Sequence, residues 1–255
     1  MAKSLLFIAI VYILLSAGKL WANSCQEQLK DNVVVEKYER WPEDGPNPFH
    51  YEFYVKDALK QQGVGEYTGY FERFLSNRKS RGLTANALDL MGSGYFLKNP
   101  RLVDSITGLR YQKLEISKAE LEKYGQPTEV TGDIFSSLTW QKLSQSMRHR
   151  NIKDFDLIVM RPAGGWNNYP FKSTDHQAES LRFVLSNAVS ILNPQGEMYF
   201  ALEMHNFNGA LNKHPYIVAF KKELEQKTNF TLIFVTTYWQ KYDSTPRAQG
   251  VIKPK

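Results

Sequence analysis

Asp89 is followed by a turn that contains two glycines, and this arrangement is typical of a ligand-binding loop. The sequence Ala-Leu-Asp-Leu-Met-Gly-Ser-Gly-Tyr-Phe-Leu over residues 87–97 predicts a short apolar strand, an acidic residue, a turn and the start of a helix. A parallel strand that enters a helix through glycines leaves free N–H groups and the positive end of the helix dipole at one point. We therefore predict a site for a nucleotide-like ligand at this turn. A purely structural turn is the alternative.

Other common catalytic arrangements are missing from the sequence. His50, His149 and His214 do not have metal-ligand spacing, so we predict no metal site. There is no Ser/His/Asp arrangement and no recognisable thiol nucleophile. Cys25 is the single cysteine, which excludes an intramolecular disulfide, so the stability of the fold must come from its core.

Strand and helix patterns alternate from residue 67 onwards. Aromatic residues at helical spacing predict a helix that ends near Gly82 and leads into the first strand. Further strands are predicted at 105–109, 126–131, 156–160, 198–202, 230–239 and 250–252, and further helices at 117–124, 138–147, 174–192 and 215–224. Thr174 and Gln177 fit a capping box, and residues 193–196 end that helix. The alternation predicts a doubly wound, mostly parallel sheet with helices on both faces, whose last two strands pair antiparallel.

Composition and charge fit a globular α/β protein. Apolar residues make up 42% and aromatic residues 13% of the 255 residues. The formal net charge of +6 falls to +4 without the two lysines of the first 24 residues, which is too small to predict a nucleic-acid partner. We interpret the basic clusters 78–81 and 148–150 as solvated helix ends. Oligomeric state leaves no signal in the sequence.

The N-terminus matches a secretory signal peptide. Lys3 precedes an apolar run from Leu5 to Ala17, which is shorter than the roughly 20 residues of a membrane-spanning helix. Ala22-Asn23-Ser24 predicts cleavage before Cys25, with a cut after Ala22 as the alternative. Cys25 also occupies the position of the lipidated cysteine of a bacterial lipoprotein, with an ordinary secretory peptide as the alternative.

These boundaries predict three segments. Residues 1–24 form the signal peptide, residues 25–82 form an N-terminal extension with a lead-in helix, and residues 83–255 form the α/β domain. We expect an exported protein, secreted or periplasmic, with no transmembrane span after the leader is removed.

From about Glu66 to the C-terminus the chain resembles the class I S-adenosylmethionine-dependent methyltransferases. Five landmarks occur in the order of that family: Leu88–Gly94, Ile106–Leu109, Thr131–Ile134, Phe155–Ile158 and Ile191–Met198. The resemblance implies a Rossmann-like, seven-stranded, mostly parallel sheet with the order 3-2-1-4-5-7-6 and helices on both faces.

The resemblance also implies roles for single residues. Asp89 would hold the methionine end of S-adenosylmethionine, with the glycine turn beneath the cofactor, while Asp133 would accept the adenine amino group. The candidate cofactor-binding residues are Asp89, Met91, Gly92, Ser93, Gly94, Arg110, Asp133 and Ile134.

The methyl acceptor is expected at the loops after the fourth and fifth strands. We predict that Arg161, Trp166 and His205 face it, Trp166 by stacking on a planar substrate. His176 and His205 are candidate bases for an oxygen acceptor. A packed loop tryptophan and capping or surface histidines are the alternatives. The sequence does not identify the acceptor.

The sequence departs from the family in two features. The family's turn has the pattern acidic-x-Gly-x-Gly-x-Gly, and the family has a second acidic residue at the end of the second strand. Met91, Ser93 and Tyr95 stand in the three glycine places. Arg110 stands where the family has an acid that binds the ribose hydroxyls, and an arginine side chain has no hydrogen-bond acceptor. Two alternatives therefore stay open: an NADP-binding protein in which Arg110 meets the 2′-phosphate, and a catalytically inactive methyltransferase-like binding or interaction module.

Overall fold

The computed structural model describes residues 51–92, 96, 97, 99–110, 127–160, 166, 169, 171–203, 211–238 and 246–255. The predicted signal peptide, Cys25 and the predicted helix at 117–124 lie outside these residues. Among the described helices, none is long and apolar enough to cross a membrane.

The described residues form a seven-stranded sheet and two layers of helices. The strands are β1 (Asn86–Leu90), β2 (Ser105–Arg110), β3 (Thr128–Thr131), β4 (Phe155–Met160), β5 (Leu192–Glu203), β6 (Phe230–Tyr238) and β7 (Pro246–Pro254). The α-helices are α1 (Tyr51–Tyr54), α2 (Lys56–Gln61), α3 (Tyr70–Ser80), α4 (Ser137–His149), α5 (Thr174–Ser190) and α6 (Pro215–Lys227). Short 3₁₀ turns occur at Pro100–Leu102 and Leu211–Lys213.

The strand order is β3-β2-β1-β4-β5-β7-β6. Neighbouring strands from β3 to β5 pair in parallel, and β7 pairs antiparallel with both β5 and β6. This arrangement confirms the predicted doubly wound sheet, including its order and the antiparallel pairing of the last two strands.

Both faces of the sheet are covered, which explains why its central strands are mostly apolar. Every residue of β1 and β4 is buried. Successive residues of β4 point to opposite faces, so Ile158 packs with α4, α5 and α6 whereas Leu157 and Val159 pack with α2 and α3. A strand buried on both sides has no solvent-facing polar side, and β4 is accordingly apolar from Leu157 to Met160.

Two buried polar side chains attach the N-terminal helices to the rest of the fold. Gln249 of β7 accepts hydrogen bonds from the main-chain N–H groups of Asp57 (2.9 Å) and Ala58 (3.2 Å) at the start of α2. Glu52 of α1 accepts from the N–H groups of Gly69 (2.5 Å) and Phe71 (2.7 Å) at the start of α3. These bonds satisfy helix N–H groups that have no partner within their own helix.

The connection between β1 and β2 differs from the prediction. Phe96, Leu97 and Asn99 are not helical, and only the 3₁₀ turn at Pro100–Leu102 follows. Phe96 and Leu97 are instead buried in the core beneath α3. The prediction that a helix starts after the glycine turn is therefore wrong at these residues. The positive potential that we expected from the dipole of that helix does not arise from them.

The ends of α5 also lie away from their predicted positions. Ser173, and not Thr174, is the N-cap, because its hydroxyl accepts from the His176 N–H at 3.1 Å. The helix ends at Ser190, and residues 193–196 belong to β5, where the register with β4 shifts.

Arg78 was expected to be solvated, but it is only 5% exposed. Its guanidinium donates to Asp156 Oδ1 (2.5 Å) and to the main-chain oxygens of Thr84 (3.0 Å) and Gln195 (3.1 Å). Asp156 is fully buried and also accepts from the Asn86 N–H at 2.8 Å. Arg78 thus joins α3 to the amino ends of β1, β4 and β5.

We predict that Arg78→Met destabilises the protein by about 3–5 kcal/mol, because it leaves the carboxylate of Asp156 buried without its cation. The neighbouring Lys79 is the matched control: its exposed ammonium lies 2.7 Å from Asp104 Oδ1, so Lys79→Met should cost no more than about 1 kcal/mol. Urea unfolding of the three proteins measures both values. Equal losses in the two variants would contradict a structural role for the buried pair.

Candidate functional site at the carboxyl edge of the sheet

The residues that follow β1, β2, β3 and β4 meet at one edge of the sheet. Leu90 pairs with Leu109 and with Met160, and Arg110 pairs with Thr131. Since these strands are parallel neighbours, their carboxyl ends lie side by side, which is where ligands bind in open α/β sheets.

The turn after β1 is built around the buried carboxylate of Asp89. A Cβ atom added to Gly92 would lie 2.0 to 2.2 Å from that carboxylate, so only glycine fits there. Met91 has a φ of 66° and donates its N–H to the Leu109 carbonyl at 2.7 Å. Met91 stands in the first glycine place of the family's pattern, and its left-handed backbone is the conformation for which glycine has the least strain. Ser93 and Gly94 lie outside the described residues.

Asp133, after β3, presents a carboxylate oxygen that has no protein partner. Its Oδ1 accepts from the Phe135 N–H at 2.9 Å, whereas Oδ2 is buried and has no hydrogen bond within the described part of the chain. Burial raises the pKa of Asp133 from its usual 3.8 to about 6, although the bond from Phe135 acts to lower it. The site therefore offers a buried acceptor that is incompletely satisfied.

The neighbours of Asp133 fix its loop. Gly132 packs against Thr139, whose Oγ1 would lie 2.3 Å from an added Cβ. The carbonyl of Ile134 accepts from Trp140 Nε1 at 2.8 Å, so the main chain is held by α4. This rigid attachment keeps the Asp133 carboxylate at the edge of the sheet.

Other predicted site residues are placed less fully. Arg110 is the last residue of β2, at the carboxyl edge, as predicted. Arg161 and His205 lie outside the described residues. The structure thus brings Asp89, Met91, Gly92, Asp133 and the main chain of Arg110 to one edge, and it leaves two of the three candidate catalytic residues undescribed.

Trp166 is fully buried in a group of rings that we call the aromatic cluster. Its members are Phe135, Trp166, Tyr169, Phe171 and His176. The ring centroids of Trp166 lie 5.8 Å from Phe135 and 4.9 Å from Phe171, with tilted planes. Trp166 therefore packs against protein rings in this structure, and its contact with a planar substrate stays a prediction.

His176 is held in one tautomer by its surroundings. Its Nδ1 accepts from the Lys172 N–H at 3.2 Å, which leaves the ring proton on Nε2. Burial, with a smaller contribution from Lys172, lowers the pKa of His176, so the ring is neutral at neutral pH. In this arrangement His176 does not present a free basic nitrogen.

Sequence reasoning missed two buried polar residues of α5, Gln177 and Ser180. Gln177 was interpreted only as part of a capping box. The available signal was helical spacing, because both residues lie beside the apolar stripe that faces the sheet. Within the described residues, no group of three His, Cys, Asp or Glu side chains is placed to hold a metal ion.

Comparison with known proteins gives weak similarities. No protein-family model and no curated protein matches the chain. Among solved structures, it is similar to the N-methyltransferase NodS from Bradyrhizobium japonicum WM9 (15% identity, covering 81% of this chain and 99% of that chain, TM-score 0.38). It is also similar to the O-methyltransferase TomG from Streptomyces achromogenes in complex with SAM (9% identity, covering 80% of this chain and 90% of that chain, TM-score 0.43). A third similar structure is the O-methyltransferase from Bacillus cereus in complex with SAH (12% identity, covering 92% of this chain and 100% of that chain, TM-score 0.43). Identities and TM-scores this low carry no functional argument.

We predict that Asp133 makes stability depend on pH with a definite sign. Since its pKa is raised in the folded state, the native protein binds the proton more tightly, and this contribution is lost as the pH rises through about 6. Between pH 4.5 and 7.5 the wild type should lose about 2 kcal/mol of unfolding free energy relative to Asp133→Asn. Urea unfolding at the two pH values measures the difference.

Asp154→Asn, at a carboxylate outside the site, is the control for this experiment. It should show the same pH dependence as the wild type. If Asp133→Asn also follows the wild type at both pH values, the carboxyl of Asp133 is not perturbed by burial.

Proposed function

We propose that this chain is an exported S-adenosylmethionine-dependent methyltransferase. The observation that carries the proposal is the sheet itself, whose order 3-2-1-4-5-7-6 with an antiparallel seventh strand is the order that the family resemblance implied. The described candidate cofactor residues lie at the carboxyl ends of the parallel strands β1, β2 and β3, where such a ligand would bind.

The residues at this edge fit the cofactor at its adenine end. The unpartnered Oδ2 of Asp133 is an acceptor for the adenine amino group, and the main chain of Ile134 lies next to it. At the methionine end, Asp89 and Gly92 hold the turn in a fixed shape. The hydroxyls of the ribose have no acidic partner in Arg110, which is the weak point of the fit.

When bound, S-adenosylmethionine supplies a methyl group that is already electrophilic. The protein therefore has to orient the acceptor and exclude water, and it does not have to activate the donor. An oxygen acceptor also requires a base. His205 is the remaining candidate for that role, because both ring nitrogens of His176 are assigned: one accepts a hydrogen bond and the other holds the proton.

A catalytically inactive binding module is the second candidate function. Arg110 favours it, since an arginine at the end of β2 removes an acceptor that the family uses for the ribose. An NADP-binding protein is the third, because the same arginine would suit a 2′-phosphate. The three candidates differ in which ligand they bind.

Calorimetric titration of S-adenosylmethionine into the full-length chain, with NADPH as the rival ligand, separates these candidates. We expect binding of S-adenosylmethionine that weakens at least about tenfold in Asp133→Ala, because a hydrogen bond to a charged group is lost. Affinity should also increase as the pH rises through about 6, since the ionised carboxylate is the better acceptor.

Asp154→Ala is the matched control and should bind like the wild type. Binding of NADPH alone, lost in Arg110→Ala, would replace the methyltransferase proposal with the dinucleotide one. Failure of both ligands to bind would leave the non-catalytic module.

Export is the second part of the proposal, and it rests on the leader. Because S-adenosylmethionine is made in the cytosol, an exported enzyme needs a target inside another cell. Two other hypotheses reconcile the leader with the cytosolic cofactor: the leader stays uncleaved as an anchor, or the protein no longer uses the cofactor. Cell fractionation with N-terminal sequencing should find a mature chain that begins at Cys25 outside the cytosol. An intact Met1 on a membrane-bound, cytosol-facing protein would contradict export.

A further inference from the structure

One end of the sheet is an open strand edge. β6 comes last in the strand order, and among the described strands it pairs only with β7. The register between the two strands runs without a shift from Phe230, opposite Pro254, to Tyr238, opposite Pro246. One whole side of this nine-residue strand therefore faces away from the sheet.

The register also identifies which main-chain groups of β6 point outward. Opposed residues of an antiparallel pair alternate between hydrogen-bonded and non-bonded pairs. The N–H of Lys255 donates to the carbonyl of Asn229 at 2.9 Å, so these two residues form a bonded pair. Counting from Asn229, the odd-numbered residues of β6 bond to β7. The N–H and C=O groups of Leu232, Phe234 and Thr236 therefore point to the open edge.

The start of β6 agrees with this assignment. Phe230 belongs to the outward set, and its N–H donates to Thr228 Oγ1 at 3.1 Å instead of bonding to β7. Pro254, which lies opposite, has no N–H to offer. The Thr228 hydroxyl occupies the first outward N–H, so the part of the edge that remains open begins at Leu232.

β6 lacks the features that usually protect a sheet edge from pairing. Its sequence, Phe-Thr-Leu-Ile-Phe-Val-Thr-Thr-Tyr, contains no charged residue, no proline and no glycine. Ile233, Phe234 and Val235 are apolar and only half-buried. By contrast, β3 at the other end of the described sheet has four residues and includes Glu129. β6 is therefore the edge that suits the addition of another strand.

The residue pattern of β6 is complementary to a second copy of itself. An antiparallel pair about a two-fold axis at Phe234 aligns all nine residues and sets outward-pointing residues opposite one another. Phe234 then meets Phe234 of the second copy, and Ile233 meets Val235, which are favourable cross-strand pairs. A two-fold axis brings identical surfaces together, and the uncharged β6 brings no like charges to it.

The size of this edge fits a stable dimer. Nine residues of a strand span about 30 Å. Helices α2 and α6 contact β6 from the two faces of the sheet, and such a three-layer edge is about 25 Å thick. These dimensions give about 750 Å² per copy, close to the roughly 800 Å² per partner of standard stable interfaces.

We propose that two copies of this chain associate through their β6 strands, antiparallel about a two-fold axis at Phe234, so that their sheets become one continuous sheet. The main-chain groups of Leu232, Phe234 and Thr236 form the ladder between the copies. Three strands, β4, β5 and β7, separate β6 from β1, so the candidate cofactor site of each copy stays open. The interface does not depend on methyl transfer and needs no bound cofactor.

Sedimentation of the full-length chain by analytical ultracentrifugation tests the proposal. At about 50 μM we expect a species of twice 29.4 kDa that dissociates on dilution. Thr236→Pro removes an outward N–H but leaves the β6–β7 ladder intact, so it should raise the dissociation constant at least about tenfold. Thr236→Ala keeps that N–H and is the matched control, which should dimerise like the wild type.

Two double variants test the register. Ile233→Lys with Val235→Lys places like charges opposite each other across the axis, whereas Ile233→Lys with Val235→Glu places opposite charges there. Both remove the same apolar side chains, and we expect the first to be monomeric and the second to dimerise. Thermal melting followed by circular dichroism shows whether each variant is folded. If the double variants do not fold, the Thr236 pair still decides.

Amide hydrogen exchange locates the interface. In the wild type at 50 μM the Phe234 amide should exchange slowly, and in Thr236→Pro it should exchange fast. The amides of Ile233 and Val235, which bond to β7, should stay slow in both proteins.

The proposal is overturned if the wild type sediments as a monomer at about 50 μM, or if Thr236→Pro dimerises as tightly as Thr236→Ala. Equal dissociation constants for two folded double variants would overturn the register at Phe234. These measurements are made without S-adenosylmethionine, so failure of the dimer can be distinguished from failure of the proposed function.

Discussion

The fold depends on covering both faces of one parallel sheet. Every side chain of β1 and β4 is buried, so neither helical layer can be removed without exposing the centre of the sheet to water. The helices α4, α5 and α6 cover one face, while α2 and α3 cover the other. The carboxyl edge lies between these layers, and the polar groups of the candidate site are concentrated there.

The two ends of the sheet use buried charge in different ways. At the amino edge, Asp156 has a cation and a main-chain donor, and these offset part of the burial that raises its pKa. At the carboxyl edge, Asp133 has a single main-chain donor, and burial raises its pKa. A compensated carboxylate favours stability of the fold, whereas an incompletely compensated one is suited to receive a ligand.

Much of the fold could be predicted from sequence, because a strand buried on both sides leaves a continuous apolar run such as residues 157–160. Local pattern does not reveal where a charged side chain ends up. Arg78 lies in a basic cluster that looks solvated, and only its long-range partners Asp156 and Gln195 explain its burial. The non-helical conformation of Phe96 and Leu97 after β1 has a similar origin, because both side chains pack into the core beneath α3.

The candidate site was predictable where residue type alone defines the chemistry, as at Asp89 and Asp133. Gln177 and Ser180 could not be recognised, since polar residues at the edge of an apolar helical stripe are ordinary in a sequence. Their lack of partners is visible only once the neighbouring elements are in place.

The position of β7 has a consequence for how the chain folds. This strand consists of residues 246–254, near the end of the chain, yet it lies between β5 and β6. Until it is synthesised, β5 has an open hydrogen-bonding edge and β6 has no neighbour in the sheet. Gln249 on the same strand also bonds to the start of α2, 192 residues earlier. The sheet is therefore completed only once residues 246–254 have been made, and the long sequence separation of these contacts favours slow folding.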